Sequence, residues 1–329
     1  MFISMFGAVE SGIIYAIMAL GVYLTFRVLD FPDLTVDGSF VTGAAVAALS
    51  IIHGIPPIIA TILAGIAGFL AGTLTGLIHT KGKVNALLSG ILMMTALYSI
   101  NLRILGQPTL SLHTETTIFD QLAVVWGTGI DGMLNNLLVA IGLDHLPKTW
   151  GILIVMFIVT FLIKLITDYF LKTEVGLAIR AIGDNKRMIR SLSANTDNLT
   201  ILGVALSNGL VALSGGLIAQ LGGFADVGMG IGMIVIGLAS VIIGEALFGT
   251  KTIARATLAV ILGAVIYRMI VTLALRVDFL ETGDMKLITA VIVIIALVTP
   301  KILQAQKEKK RRMEKRNALQ QQRGGSINA

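Results

Sequence analysis

Three aspartates within eight residues offer the clearest chemistry in this chain. In LDFPDLTVDGSF, from Leu29 to Phe40, Asp30, Asp33 and Asp37 are grouped with Pro32, Thr35 and Gly38. Proline and glycine end one helix, and Asp and Thr side chains accept from the free amides that begin the next. Two uses fit this pattern: an ordinary capped turn, or a half-helix terminus aimed at a substrate path. A second polar set lies scattered through apolar runs: Ser89, Asn101, Ser207, Asn208, Ser214 and Gln220, with Met93 and Met94 able to form an adaptable apolar wall. Helix–helix hydrogen bonding accounts for any one of them, whereas the set outlines a pathway. The pathway candidates are therefore Asp33, Thr35, Asp37, Ser89, Met93, Asn101, Ser207 and Asn208.

A third constellation is TEVGLAIRAIGDNKRMIRSLSAN, Thr173 to Asn195, charged and helical in pattern between long apolar runs. Val175, Ala178, Ile179 and Ile182 recur at i, i+3, i+4 and i+7, one apolar stripe on a short helix. Gly183 is expected to stop it, and Asp184 and Asn185 to cap a second short helix carrying Met188, Ile189 and Leu192. Helix, tight turn, helix is more order than a plain connection needs, and it reads as a handle for a soluble partner.

Catalytic signatures are missing. The chain contains no HExxH, GxSxG or phosphate-cradling glycine-lysine loop, no cysteine, and only four scattered histidines, His53, His79, His113 and His145. An enzyme is thereby disfavoured. An ion-coupled carrier would place paired ionisable groups near mid-span, and this chain offers almost none; Glu245 and Arg268 are expected to pair between neighbouring helices. Energy for transport must then come from another polypeptide.

The elements that position these residues are membrane spans. Of 329 residues 55% are hydrophobic and 13% charged, with a mean hydropathy of +0.89, against roughly 25% charged in soluble domains. Spans need roughly 20 apolar residues, and are expected near 7–27, 38–53, 56–79, 84–105, 148–171, 198–221, 228–249, 255–276 and 285–302. The fold expected is an all-α polytopic membrane protein of about nine spans (8–10), with a broken or re-entrant segment near 29–53. The spacing of Ala64, Gly68, Gly72 and Gly76 makes a flat helix face for close packing. The acidic region 106–147 fits either a solvated loop anchored at the interface by Trp126 or a surface-lying helix pair. Nine basic residues against Glu308 and Glu314 after Pro300 leave a tail at +7 and the remainder at −1. No basic face is left for nucleic acid, only a juxtamembrane polybasic tail. Nineteen Lys and Arg fall in loops on one side and four on the other, which puts the C-terminus and the Thr173 segment in the cytoplasm and the N-terminus outside. The membrane body is expected over 1–303, with a cytoplasmic loop at 172–195, and the basic tail over 304–329.

At Glu174 to Leu192 the chain resembles the cytoplasmic loop of permease subunits of ATP-binding-cassette importers of the branched-chain amino acid and ribose type, which reads G-x-x-x-R-A-x-G-x-N. Gly176, Arg180, Ala181, Gly183 and Asn185 hold that pattern. DLTVDGS, Asp33 to Ser39, is similar to D-L-S-V-G-S of the sugar branch, with Thr35 for serine and an extra Asp37 that speaks against a sugar. Within the superfamily the chain looks closest to permeases that accompany bacterial tryptophan- or tyrosine-type importers. The resemblance implies that Glu174, Gly176, Arg180, Ala181, Gly183, Asp184 and Asn185 couple to a cytoplasmic ATPase. It implies too that ATP and Mg bind there and no cofactor binds here. The further implications are a permease homodimer, an extracytoplasmic substrate-binding protein, and residence in the bacterial inner membrane. A small polar nutrient, an amino acid foremost, is the expected substrate; a sugar or nucleoside importer, or a self-contained carrier or channel, are the alternatives.

Overall fold

The computed structural model describes residues 2–126, 131, 132, 135, 149–191 and 195–274, and the single positions 287, 290, 291, 294 and 298. The helices considered below are α1 (Phe2–Tyr23), α2 (Thr35–Ile52), α3 (Pro57–Thr80), α4 (Ala86–Leu105), α5 (Ile118–Trp126), α6 (Gly151–Phe170), α7 (Glu174–Ser191), α8 (Thr196–Gly222), α9 (Met233–Phe248) and α10 (Ile253–Ala274). All but α5 and α7, eight among the described residues, are long and apolar enough to cross a bilayer. The chain is thus an all-α, multi-pass membrane protein. The span expected at 285–302, apart from its five described positions, and the tail 304–329 lie outside the described residues.

Helix ends follow local chemistry. Asn85 caps α4 by accepting from Leu87 N at 2.9 Å, and Gly106, at φ 69°, ends it. Asn195 caps α8 and Gly223, at φ 73°, terminates it; left-handed backbone at a helix C-terminus is where glycine is cheapest. At the centre stands α8, packed by α1, α2 and α3, while α9 and α10 pack on each other and on α1. The small-residue face of α3 meets α8, as its spacing predicts. A Cβ on Gly72 would lie 2.5 Å from Val204 O, and one on Gly76 2.8 Å from Ile201 Cα.

Two breaks interrupt the bundle. The first is confined to 29–34. A π turn, Leu24–Val28, ends α1, Asp30 takes φ 53°, and Phe31 N donates back to Thr25 O at 2.8 Å before α2 begins. From Thr35 to Ile52 the helix is continuous, so the expected break is shorter than the expected segment. The second break, where a plain span was expected from 228, comprises strand β2 (Phe224–Asp226), a 3₁₀ turn (Val227–Gly230) and Gly232 at φ 90°. Strand β2 pairs antiparallel with β1 (Thr109–Ser111), joining the α4–α5 and α8–α9 connections. Within 106–147, α5 is the described helix; Thr117 and Asp120 cap it reciprocally. The second helix of such a pair lies outside the described residues.

Candidate functional site

Asp33 is the hub of a polar layer sealed inside the bundle. It is fully buried, its Oδ1 accepts from Thr35 N at 2.9 Å, and its Oδ2 accepts from Asn208 Nδ2 at 2.6 Å. Asn208 Nδ2 also donates to Val204 O on its own helix. Thr35 and Thr75 share a hydroxyl hydrogen bond of 2.9 Å, which joins α2 to α3. One residue before Asn208, Ser207 donates to Gly21 O at 2.6 Å and lies 3.4 Å from Thr25 Oγ1, tying α8 to α1. Buried polar groups in hydrocarbon surroundings must find such partners. Among the described residues Asn208 Oδ1 and Ser39 Oγ are buried without one.

Asp37 turns the other way. One helical turn beyond Asp33, its Oδ2 accepts from Gly232 N at 2.9 Å and its Oδ1 from Ile234 N at 2.8 Å. A carboxylate on the first turn of α2 thereby satisfies the free amides of α9, where the helix dipole is positive. A cleft of about 460 Å³ opens beside this contact, between α2, α4 and the 3₁₀ entry to α9; Asp37, Val41, Met94, Tyr98, Asn101 and Ile231 are in its wall. Asn101 is fixed there by donating to Gly38 O at 3.1 Å and accepting from Thr42 Oγ1 at 2.9 Å.

The structure therefore brings Asp37 and Asn101 into the cleft and Asp33, Thr35, Ser207 and Asn208 into the sealed layer. Met93 packs with Ala71 and Leu97 against α3, and Ser89 bonds Ala86 O of its own helix. Thr75, Tyr98 and the amides of Gly232 and Ile234 were missed by sequence reasoning. Thr75 had a signal available, since it adjoins the glycine face of α3. The amides had only a weak one: Gly228, Gly230 and Gly232 punctuate the apolar run, but nothing local says which of them precedes the helix.

At the opposite end of α1, α7 lies across the bundle. Ile179, Ile182 and Ile189 are buried, while Val175, Leu177 and Met188 are exposed. Gly183 does not stop this helix. Helical backbone continues to Asn185, which takes φ −158° and ψ 88° and caps the second segment by accepting from Met188 N at 3.1 Å. Glycine is required at 183 because a side chain would strike Val28 O, and at 176 because it would strike Phe170 O. Glu174, Asp184 and Asn185 are exposed, and Arg180 and Ala181 half-buried. Arg180 and Asp184 share a cleft of about 650 Å³ with Arg27, Glu245 and Lys251. Across it Arg27 grips Glu245 with three hydrogen bonds, of which the Nε pair measure 2.9 and 3.0 Å. Glu245 is therefore not the partner of Arg268, whose guanidinium lies 4.7 Å from the Tyr15 ring centroid and donates to Ser11. Lys164 and Asp168, one turn apart on α6, form a buried ion pair, and Asp168 accepts from Thr257 of α10 at 2.6 Å.

Residues 4–298 match the family described as branched-chain amino acid transport system / permease component. The chain belongs to this permease family. It is similar to a tyrosine transport system permease protein of Clostridioides difficile, 40% identical over 287 residues, 87% of this chain and 88% of that one. It is also similar to an uncharacterised protein of Rickettsia prowazekii, 34% identical over 203 residues, 62% of this chain and 63% of that one. No solved structure matches it. The cleft at Asp37 has the volume of a small-molecule site, and α7 keeps Val175, Leu177 and Met188 exposed. Among the described residues no three His, Cys, Asp or Glu side chains gather to hold a metal ion.

Proposed function

We propose that this permease is the membrane subunit of an ATP-binding-cassette importer for an amino acid, working by alternating access driven by a separate ATPase seated on α7. The observation that carries the reading is that α7 is amphipathic twice over. One face is anchored in the bundle by Ile179, Ile182 and Ile189, and yet Val175, Leu177 and Met188 remain 40, 50 and 49% exposed among charges. Apolar side chains held out on a charged surface helix fit a partner's groove. The chain carries no phosphate-cradling loop of its own, so ATP and Mg belong to that partner. The excess of Lys and Arg at the α7 end supports a cytoplasmic α7 in a bacterium, with the N-terminus outside. An external binding protein delivers to the end carrying β1 and β2, and a second permease copy completes the membrane unit. The tyrosine-system relative supports an amino acid as cargo.

The burial of Gly176 decides which variant tests this. Tryptophan at 176 would disturb the contact with Phe170 and Leu171, whereas Leu177→Glu alters only the exposed face. In proteoliposomes holding permease, ATPase and binding protein, Leu177→Glu should abolish substrate-stimulated ATP hydrolysis and weaken co-purification of the ATPase, with the permease itself still folded. Unchanged stimulation removes α7 as the coupling element.

A further inference from the structure

Asp37 is the one aspartate, glutamate, lysine or arginine among the described residues lining the α2–α4 cleft. The rest of that wall is mostly apolar: Val41, Met94, Ile231 and the ring of Tyr98 contribute carbon, the hydroxyls of Thr95, Tyr98 and Ser99 are few, and Thr95 Oγ1 and the amide of Asn101 are already committed to Ile91 O and to Thr42 and Gly38. A volume of about 460 Å³ falls in the roughly 300–1,000 Å³ range of small-molecule sites. A sugar would need many converging donors and acceptors, which this wall lacks. A carboxylate at membrane depth needs a cation or strong donors. Here its partners are two neutral amides, Gly232 N and Ile234 N, at the positive end of a 16-residue helix. Those amides already demonstrate their taste for a carboxylate, because they hold one.

Resting on the reading of this cleft as the substrate path, we propose that Asp37 sets its specificity by exchange: the ammonium of a zwitterionic amino acid with an apolar or aromatic side chain takes Asp37, and the amides of Gly232 and Ile234 pass to the substrate carboxylate. Charge is conserved in the swap. Asp37 trades two neutral amides for a cation while the amides trade one carboxylate for another, and the Asp37 tether between α2 and α9 is released only when a ligand bearing both charges has arrived. An amine without a carboxylate leaves the amides unsatisfied, and an acid without an amine leaves Asp37 bare.

The absence of cysteine makes a direct test available. Tyr98→Cys, on the exposed wall of the cleft, provides a single thiol in the full-length permease, read by cationic and anionic thiosulfonate reagents without ATPase or binding protein. The cation-to-anion labelling ratio should fall roughly fivefold or more when Asp37→Asn is added, the effect of losing a unit charge a few Å away, and Asp37→Glu should restore it. In the Asp37 background L-tyrosine should slow labelling more than tyramine or 3-(4-hydroxyphenyl)propionate does. This last comparison needs no change at position 37 and so holds even if Asp37→Asn fails to assemble. An unchanged ratio, equal protection by all three probes, or a thiol that neither reagent reaches overturns the proposal. Absence of amino-acid uptake by the unmutated complex would instead count against the transport reading, leaving the labelling result to stand by itself.

Discussion

Asp33 and Asp37 stand four positions apart, and they face opposite problems. Asp33 is sealed, held by Thr35 N and Asn208 Nδ2; Asp37 is half-buried at the edge of a cleft. Asp33→Ala should therefore act on stability. It strips the cap from α2 and one acceptor from Asn208, a loss of about 2–3 kcal/mol at a buried site, to be measured by thermal unfolding in detergent. Asp33→Asn, which keeps an acceptor for Thr35 N, should lose less; equal losses would mean that the capping bond contributes nothing. The sequence made both aspartates and Asn208 visible, because each is costly inside an apolar run. What it could not show is who bonds to whom, since the Asp33–Asn208 pair spans 175 residues and carries no local pattern. Gly183 was misread for a related reason: a glycine in a helix looks like a stop, whereas here it makes room for the backbone at Val28.

Helices were most legible where one face repeats. Four-residue spacing of small side chains on α3 announced close packing, and α8 is what packs there. Gly72→Leu should push α3 off α8, because its first side-chain atom would already fall 2.5 Å from Val204 O. Overpacking of this kind costs about 1–3 kcal/mol, and the expected readout is a lowered unfolding temperature in detergent; an unaltered one would mean that α3 and α8 separate without penalty. Leu74→Ala, on the exposed face of the same helix, serves as the control and should change little. The half-helix α9 was illegible by contrast. From Val227 to Phe248 the chain is apolar enough to read as one span, and only a tertiary partner, Asp37, marks where regular hydrogen bonding starts.

Across the whole molecule, hydropathy located the eight described spans to within a few residues, because the bilayer imposes one length and one polarity on all of them. The two-stranded sheet escaped it, since three-residue strands are too short for an alternating pattern. The ion pair between Arg27 and Glu245 escaped it as well, joining the far end of α1 to the far end of α9. It closes the α7 end of the bundle, and it is exposed on the Arg27 side, 59% against 11% for Glu245. Its static contribution should be small, in the range of ~0.2–1 kcal/mol for exposed pairs. Arg27→Glu should leave folding nearly intact while raising ATP hydrolysis in the absence of substrate, and Arg27→Glu combined with Glu245→Arg should return it to the original level. No recovery in the double variant would show that the two residues act separately. The sealed layer around Asp33 also sets an order of events in biogenesis. At ~5–20 residues per second of synthesis, Asp33 leaves the ribosome roughly 10–35 s before Asn208. For that interval the first four helices stand in the bilayer with their central carboxylate waiting for a helix not yet made. Nascent chains cut short before α8 therefore hold Asp33 without the amide that its Oδ2 accepts from in the finished permease.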